Sequence, residues 1–486
     1  MQFYLRDKEL KQLKILTGEN NRRAKFIMLT GSRKVGKTAL VSKLINKKKG
    51  VYLTITPKAT AMQLNDISDY LREVNPPDSF VPRFENWKHL FEYFFMLAKE
   101  SSYTVVLDEF HHLENVEASA LQELRTVWDR HSKSSYLNII FVTFNIEFVN
   151  RMFHHQDALF YKLPDYSLKL IPFSLIDVIA LFKAKKSKAT LDQIVDLYIV
   201  FGGYPKYYHL FDIFDLWNKS LDEILKTLVF QPYAPLGNEL KDIIVNLFTR
   251  ENKIYISILQ SMAHDNHSLT QIANNINVKA TTIAKYLSEL ENKKNIIKRK
   301  QPINFSSKER SKFGRYYISS YFENFWFRFV QPDFISYEMK QYDRMLLNIE
   351  QNFPEYRKQR LPLLIKELMQ HADEIPRLKK LFPHDISTIG SIWNRKHYVD
   401  IIAFNDDMKE VLLGNVYTGN GNLQLPQIQS LIENLQQFDK ELTDYKIHRV
   451  LFHNSKINLD AGKFSEERNT QLCTYGKVLK EIYEDN

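Results

Sequence analysis

The chain has a single cysteine, Cys473, in 486 residues, so it cannot form an internal disulfide. This usage is typical of proteins that fold in a reducing compartment. The N-terminal segment carries charges from Arg6 onward and lacks the apolar run of a secretion signal. No uninterrupted apolar stretch approaches the roughly 18–20 residues that a membrane span needs. We therefore expect a cytoplasmic protein with no membrane partner.

Glycine is also scarce, with 14 residues, so each glycine cluster is informative. The length exceeds what one hydrophobic core accommodates and predicts two to four domains. The formal net charge of +10 favours polyanionic partners such as nucleotides or nucleic acids, although lysine-rich surfaces also serve solubility alone. Composition leaves the partner open, and local motifs must decide it.

The strongest motif lies near the N-terminus. Phe26–Leu29 form a short apolar run, typical of a buried parallel strand, and residues 31–38 then match G-x-x-x-x-G-K-[ST]. Glycines at the first and sixth positions let successive N–H groups turn inward at a helix N-terminus, which binds anions. Lys37 is expected to reach the β- and γ-phosphates, and Thr38 to ligate Mg²⁺. The predicted nucleotide-binding residues here are Gly31, Ser32, Arg33, Lys34, Val35, Gly36, Lys37 and Thr38.

A second apolar strand, Thr104–Leu107, ends in Asp108 and Glu109. A carboxylate at this position can hold Mg²⁺, and the one beside it can polarise the attacking water. We therefore predict Thr38 and Asp108 as metal ligands, and Glu109 with Lys37 as catalytic residues. The following pair, His111–His112, has no cysteine or third histidine at ligand spacing and is expected to be structural.

A third strand, Leu137–Asn145, ends in polar residues. Thr143 or Asn145 could sense the γ-phosphate, and a plain strand end explains them equally well. Together with Val51–Ile55, these strands predict an α/β fold: a parallel sheet with helical crossovers and its ligands at the carboxyl ends of the strands.

These motifs resemble those of the archaeal-type AAA ATPases, which lie near the AAA+ and STAND branches of P-loop proteins and occur also in bacteria. The resemblance rests on F-x-x-R-x-x-E-L at residues 3–10, on the P-loop, on Asp108–Phe110, and on G-G-x-P-x-Y at residues 202–207. It implies ATP and Mg²⁺ as cofactors, an adenine pocket lined by Arg6, and a helical lid after the core.

Two positions depart from the family pattern. The lid entry carries Lys162 where an arginine is common, and Phe144 stands where the family has a small polar residue. A lysine keeps the charge but cannot clamp phosphate with two parallel bonds. Slow hydrolysis is therefore expected, with ATP binding retained.

Residues 256–300 have the pattern of a winged helix-turn-helix. Ser268 is a plausible N-cap of the second helix, and the third repeats apolar residues at Ile283, Leu287 and Leu290. A recognition helix with a basic wing can bind duplex DNA. The alternative is a protein-packing module, as STAND-like ATPases use. The predicted DNA-binding residues are Lys279, Thr281, Thr282, Lys285, Arg299 and Arg310.

The C-terminal tail follows the order helix, three strands, helix, strand. In the resembled family this tail is similar to the restriction-endonuclease-like fold, with aspartate on the middle strand and E-C-K-W on the next. Asp400 matches, but Asn415 and Tyr417 replace the glutamate and the lysine. Because the chemistry needs two carboxylates and a lysine, we predict a retained fold without nuclease activity. An unrelated α/β tail is the alternative.

The predicted domains are an ATPase core at residues 1–165, a helical lid at 166–235, a winged helix at 241–320 and a nuclease-like tail at 321–486. The function expected is a nucleotide-dependent switch that acts on duplex DNA. The rival is a nucleotide-held scaffold that contacts a partner protein or assembles with itself, without touching DNA.

Overall fold

The structure is a computed structural model that describes residues 4–18, 23–46, 49–75, 80–237, 239, 252–303, 313–419 and 421–485. The chain divides into two compact units. The first unit comprises Met1–Pro172 and Tyr204–His209, and the second comprises Phe173–Gly203 and Leu210–Asn486. Part of the lid turn predicted at residues 202–207 therefore belongs to the first unit.

The first unit is built on a five-stranded sheet whose order is β2-β3-β4-β1-β5, with every neighbouring pair parallel. The predicted α/β class is thus confirmed. Its strands are β1 (Lys25–Gly31), β2 (Gly50–Thr54), β3 (Tyr103–Asp108), β4 (Leu137–Thr143) and β5 (Tyr166–Leu170). Its helices include Asp7–Leu16, Lys37–Ile45, Thr60–Val74, Trp87–Leu97, Leu113–Val116, Ala120–His131 and Ile146–Val149.

Alternation along the strands gives the sheet two cores. Phe26, Leu107 and Phe141 point into an aromatic-rich core on one face. Ile27 and Val106 point into an aliphatic core on the other face, with the helices Asp7–Leu16 and Lys37–Ile45. Every residue of β3 and β4 is buried, which explains why these central strands read as continuous apolar runs.

The second unit begins with helices and continues into the predicted helix-turn-helix. Three helices precede an antiparallel pair, β6 (Ile297–Lys300) and β7 (Arg315–Ile318). The Ser268 hydroxyl accepts from the Gln271 N–H, as predicted for an N-cap. The helices of this unit up to and including the helix-turn-helix are Leu175–Ala184, Leu191–Phe201, Leu221–Leu228, Asn252–Ala263, Leu269–Asn275 and Ala280–Ser288, with Pro205–Ile213 divided between the two units.

An aromatic helix, Tyr321–Phe329, follows the two-stranded sheet. Phe322, Phe325 and Trp326 are fully buried within it. The segment is therefore a core element of the second unit, and these buried rings are not offered to solvent for base stacking.

The tail contains a five-stranded mixed sheet of order β12-β11-β10-β9-β8, in which β8, β9 and β10 are antiparallel neighbours and β10, β11 and β12 are parallel. The strands of this sheet are β8 (Thr388–Trp393), β9 (Tyr398–Asn405), β10 (Glu410–Val416), β11 (Lys446–His453) and β12 (Thr470–Thr474). The strand predicted at residues 410–416 has the same bounds as β10. The helices of the tail are Phe334–Glu338, Tyr342–Met369, Pro376–Leu381, Leu425–Gln436, Leu459–Glu467 and Tyr475–Asp485.

Within the described ranges, no helix has both the length and the apolar character that a membrane crossing requires.

Candidate functional site

The loop between β1 and the helix Lys37–Ile45 has the backbone of a phosphate-binding loop. Gly31 and Gly36 have φ angles of 151° and 94°, values that favour glycine. A Cβ at Gly31 would lie 2.5 Å from the Leu170 carbonyl oxygen, so the loop also needs glycine for space. Gly36 is the N-cap of the helix, which directs the helix N-terminus toward the loop.

Lys37 lies inside this loop and is largely buried. Its Nζ donates to the carbonyl oxygens of Gly31 at 2.8 Å and Ser32 at 2.9 Å. Burial lowers the pKa of Lys37, while the nearby Glu109 and Asp108 carboxylates act in the opposite direction. The ammonium is therefore held at the centre of the loop by groups that a phosphate could replace.

Asp108, at the carboxyl end of β3, is tied to the loop. The Thr38 hydroxyl donates to its Oδ2 at 3.0 Å, and the Tyr52 hydroxyl donates to the same oxygen at 2.5 Å. Burial, followed by the hydrogen bond to Asp108, raises the pKa of Tyr52 to about 12, so Tyr52 acts as a neutral donor. Tyr52 was not predicted as a site residue, because an aromatic in a strand usually signals core packing.

Glu109 follows Asp108 in a left-handed conformation, with φ of 53°. This conformation is rare outside glycine and asparagine, and such strain is often found at functional sites. Burial and the neighbouring Asp108 carboxylate raise the pKa of Glu109. Its Oε2 lies 3.4 Å from Nδ1 of the buried His111. The predicted pair of carboxylates is therefore present, with a histidine contact that spacing did not reveal.

Phe144 has a definite partner in the structure. The Arg33 guanidinium stacks over its ring at 4.1 Å from the centroid. The ring of His111 meets Phe144 edge-on at 4.9 Å. The aromatic residue at this strand end thus positions a P-loop cation, whereas the small polar residue typical of the family could not.

A cavity of about 1040 Å³ adjoins the loop, which is large enough for a nucleotide. Arg6 contributes to its wall, as predicted, and its guanidinium donates to Glu9 at 2.7 Å and to the Ile171 carbonyl oxygen. The residues around the cavity are Tyr4, Arg6, Arg33, Lys34, Val35, Gly36, Lys37, Thr38, Ala39, Ser42, Lys43, Asn46, Asp108, Glu109, His112, Pro205, Lys206 and His209.

Asn145 does not belong to that wall. Its side-chain oxygen instead accepts from the Phe148 N–H at 3.0 Å and caps the helix Ile146–Val149. With its oxygen used at the helix end, only the amide N–H groups of Asn145 could contact a phosphate, and its role as a γ-phosphate sensor stays a prediction. Lys162 likewise lies outside the cavity wall, with its Nζ over the Tyr161 ring at 5.2 Å.

The third helix of the helix-turn-helix presents a polar surface. Lys279, Thr281, Thr282 and Lys285 are exposed. Tyr286, beside Lys285 on the same helix, is instead buried against Tyr255 at 4.9 Å between ring centroids.

The wing residues have less freedom than this helix. Arg299 is half-buried, with its guanidinium 5.7 Å from the Tyr316 ring centroid. Arg310, predicted to bind DNA, lies outside the described residues. The predicted basic surface is therefore present on the helix, whereas Arg299 is mainly packed within the hairpin.

In the tail, Asp400 is placed as the resemblance implied, in the middle of three antiparallel strands. Its Oδ2 accepts from the Val416 N–H at 2.8 Å, and the Asn415 side-chain oxygen accepts from the Asp400 N–H at 3.1 Å. Burial raises the pKa of Asp400 to about 6. Asn415 thus completes the strand pairing where the family has an acid.

A lysine nevertheless lies near Asp400. Lys366, from the helix Tyr342–Met369, donates to the Ser391 hydroxyl at 2.7 Å, and that hydroxyl donates to the Asp400 carbonyl oxygen at 2.7 Å. Burial lowers the pKa of Lys366 to about 7. Sequence spacing could not find this residue, because it comes from a helix and not from β10.

The comparisons with known proteins agree with this architecture. A family model described as an AAA domain matches residues 20–152, and one described as archaeal and bacterial proteins of unknown function matches residues 326–421. The uncharacterised protein MJECL04 of Methanocaldococcus jannaschii is 27% identical over 419 residues, which cover 85% of this chain and 87% of that protein.

Among solved structures, the Walker-type ATPase PABY2304 of Pyrococcus abyssi aligns with a TM-score of 0.51 at 15% identity, over 67% of this chain and 96% of that one. The region that carries the P-loop therefore resembles an AAA domain in sequence. The predicted resemblance to the archaeal-type AAA ATPases is thereby confirmed, since an AAA domain is joined to the C-terminal module of archaeal and bacterial proteins.

Proposed function

We propose that the chain binds ATP with Mg²⁺ in the cavity beside the P-loop and hydrolyses it slowly. One observation carries this proposal: Lys37, Thr38, Asp108 and Glu109 converge at the carboxyl edge of one parallel sheet, with the Thr38 and Asp108 oxygens 3.0 Å apart. Ligands of open α/β sheets bind at this edge.

Each residue has a distinct part. The Lys37 ammonium and the loop N–H groups bind the phosphates. The oxygen donors of Thr38 and Asp108 fit Mg²⁺, which prefers such ligands and neutralises phosphate charge when bound. Glu109 orients the attacking water and accepts its proton. Its raised pKa makes it a stronger base than an ordinary carboxylate.

The arginines around the cavity explain the slow rate. Arg6 is bonded to Glu9 and to backbone carbonyl oxygens, and Arg33 is stacked on Phe144. Both guanidiniums are therefore held by protein groups. In P-loop ATPases an arginine that contacts the transferring phosphate raises the rate by a factor on the order of 10³–10⁵. A neighbouring subunit could supply one.

We further propose that nucleotide state controls a nucleic-acid surface on the helix Ala280–Ser288. Its exposed Lys279 and Lys285, with Thr281 and Thr282 between them, suit phosphate contacts from duplex DNA. Nucleotide that binds one conformation better than another shifts the population toward it, which is the basis of the proposed switch.

The rival function, a protein scaffold, is favoured by one observation within the second unit. The wing packs on the tail sheet: the Trp393 indole donates to the Phe313 carbonyl oxygen at 2.6 Å, and the Arg315 guanidinium lies 4.5 Å from the Tyr398 ring centroid. Part of the basic hairpin is thus committed to protein contacts, as in a packing module.

Calorimetry on Lys37→Ala tests the nucleotide site. Removal of the buried cation should weaken ATP binding at least about tenfold, because it deletes charge-assisted hydrogen bonds to the phosphates. The matched control is Lys99→Ala, an exposed lysine of the same unit, whose ATP affinity should equal that of the wild type. Unchanged affinity in Lys37→Ala would overturn the site assignment.

A further inference from the structure

A second cluster of metal-ligating side chains lies beside the P-loop. Ligand atoms of Glu109, His111 and His112 all lie within 4.8 Å of one another. The His111 and His112 rings are 4.1 Å apart between centroids, and His111 is buried. The histidine pair looked structural because no third histidine or cysteine follows at ligand spacing; the third donor is Glu109, which precedes it.

We propose that Glu109, His111 and His112 form a binding site for a transition-metal ion that prefers nitrogen ligands, namely Zn²⁺. Imidazole nitrogens suit zinc, cobalt and nickel, whereas magnesium prefers oxygen. The site is therefore chemically distinct from the Mg²⁺ position at Thr38 and Asp108, although both lie next to Glu109.

The geometry of the first pair already matches a bound ion. His111 Nδ1 and Glu109 Oε2 are 3.4 Å apart. A tetrahedral zinc with bonds of about 2.0–2.2 Å holds its ligand atoms roughly 3.3–3.6 Å apart. The same Glu109 Oε2 is buried and has no hydrogen-bond partner within the described residues. A buried carboxylate oxygen normally has a partner, and a metal ion would supply one.

One hydrogen-bonding neighbour of His111 must yield to the metal. The Thr143 hydroxyl oxygen accepts from the Asn145 N–H at 3.0 Å and lies 3.1 Å from His111 Nδ1. Because an imidazole nitrogen has a single lone pair, Nδ1 binds the ion only when the Thr143 hydroxyl turns its proton away from it.

The surrounding charges are balanced. Arg33, stacked on Phe144, and Lys37, which donates to the loop carbonyl oxygens, are the positive charges that oppose a cation. The carboxylates of Asp108 and Glu109 offset these two positive charges. The affinity for a divalent ion therefore depends on the three donors.

The site has a consequence for hydrolysis that rests on the proposed function. A carboxylate engaged by zinc cannot accept a proton from water, so the metal should inhibit the ATPase. Metal binding does not depend on the role of Glu109 in hydrolysis, and it is measured without nucleotide.

Cobalt titration of the metal-stripped full chain, without nucleotide, tests the site. We expect one equivalent of Co²⁺ to produce the visible absorption of a low-coordinate cobalt site, and Zn²⁺ to displace it. His112→Ala removes a half-buried ligand with little risk to folding and should weaken Co²⁺ binding at least about tenfold. Glu109→Gln should weaken it as well.

Two controls locate the ion. His154→Ala, an exposed histidine of the same unit, should leave the absorption unchanged. His448→Ala addresses a separate cluster in which Glu410 lies 3.3 Å from both His448 and His384. No visible band in the wild type, or a band that survives in His112→Ala and is lost in His448→Ala, would overturn the proposal.

A final measurement separates this proposal from the ATPase assignment. Zn²⁺ should inhibit ATP turnover of the wild type, and His112→Ala should need at least about tenfold more Zn²⁺ for half-inhibition. If Co²⁺ binds through these residues but Zn²⁺ leaves turnover unchanged, the metal site is supported and the role of Glu109 in hydrolysis is overturned.

Discussion

At the scale of single residues, Glu109 is the side chain on which the proposed ATP hydrolysis depends. It lies at a strained position beside the buried Asp108, and its pKa is raised by burial and by that neighbour. Glu109→Gln keeps the size and one oxygen but removes the base. We expect ATP affinity to stay within about twofold and turnover to fall by a factor on the order of 10²–10⁴.

Single-turnover kinetics with matched ATP calorimetry measures this split between binding and chemistry. Glu114→Gln is a suitable control, since Glu114 is paired with Arg151 at 2.6 Å and lies outside the cavity wall. Turnover of Glu109→Gln equal to that of the wild type would mean that another group activates the water.

Cys473 provides a residue-scale prediction in the tail. It is 3% exposed, and burial raises the pKa of its thiol to about 12. Because the thiolate is the reactive form, iodoacetamide should label the native chain on the order of a thousandfold more slowly at pH 8 than a free cysteine, with a rate that rises as the pH approaches 12. Mass spectrometry gives the rate, and the urea-unfolded chain is the control. Rapid labelling of the native chain would contradict the buried placement.

The sequence revealed those site residues whose roles follow from contiguous spacing. Lys37 and Thr38 are fixed by the P-loop motif, and Asp108 by the end of an apolar strand. The sequence did not place Tyr52, His111 and Lys366 at these sites. Each reaches its position through a hydrogen-bonding contact with a residue that is distant in the sequence: Asp108, Thr143 and Ser391, respectively. The Tyr52–Asp108 hydrogen bond spans two strands that are neighbours only in the folded sheet.

At the scale of elements, buried central strands were predictable and edge strands were not. β3 and β4 are wholly buried and show continuous apolar runs. β5 lies at the edge beside β1, and three of its five residues are exposed, so its sequence lacks such a run. β12 lies at the edge of the tail sheet and was missed as well, because only two of its five residues are buried and its sequence has no continuous apolar run.

The pairing of β9 with β10 leads to a pH-dependent prediction. The raised pKa of Asp400, about 6 against an ordinary 3.8, means that the folded state binds this proton more tightly than the unfolded chain. The group therefore contributes stability that is fully present below about pH 4 and is lost as the pH rises through about 6. Asp400→Ala should thus destabilise more at pH 4 than at pH 7, by roughly 1–3 kcal/mol.

Urea unfolding of the wild type and of Asp400→Ala at both pH values measures this difference. The exposed Asp407→Ala in the turn of the same hairpin is the control: it retains Asp400, so its free energy of unfolding should change with pH as that of the wild type does. A wild-type chain that cleaves DNA with Mg²⁺ or Mn²⁺, and loses this activity in Asp400→Ala, would contradict the prediction of an inactive nuclease fold.

At the scale of the whole molecule, the two units carry different chemistry. The first unit holds the P-loop, the paired carboxylates and the cavity. The second unit holds the helix-turn-helix and the mixed sheet. The net charge of +10 belongs to the chain as a whole, so it does not decide whether the basic helix contacts DNA or a protein.

Duplex binding by charge-reversed variants decides between these partners. Lys279→Glu with Lys285→Glu reverses two exposed charges on the helix Ala280–Ser288. If both lysines contact phosphates, affinity should fall, and the slope of log K against log salt should become shallower by about 2, because each released counterion contributes about 0.9. Lys188→Glu with Lys379→Glu makes the same change in net charge at exposed positions elsewhere in the second unit and should leave the slope near that of the wild type. Measurement of duplex binding with and without ATP then tests the switch. Nucleotide that favours the DNA-competent conformation must raise duplex affinity, and DNA must raise ATP affinity by the same factor. A wild-type chain that binds no duplex at low salt, with or without ATP, would favour the rival function of a protein scaffold, with the helix as a protein contact.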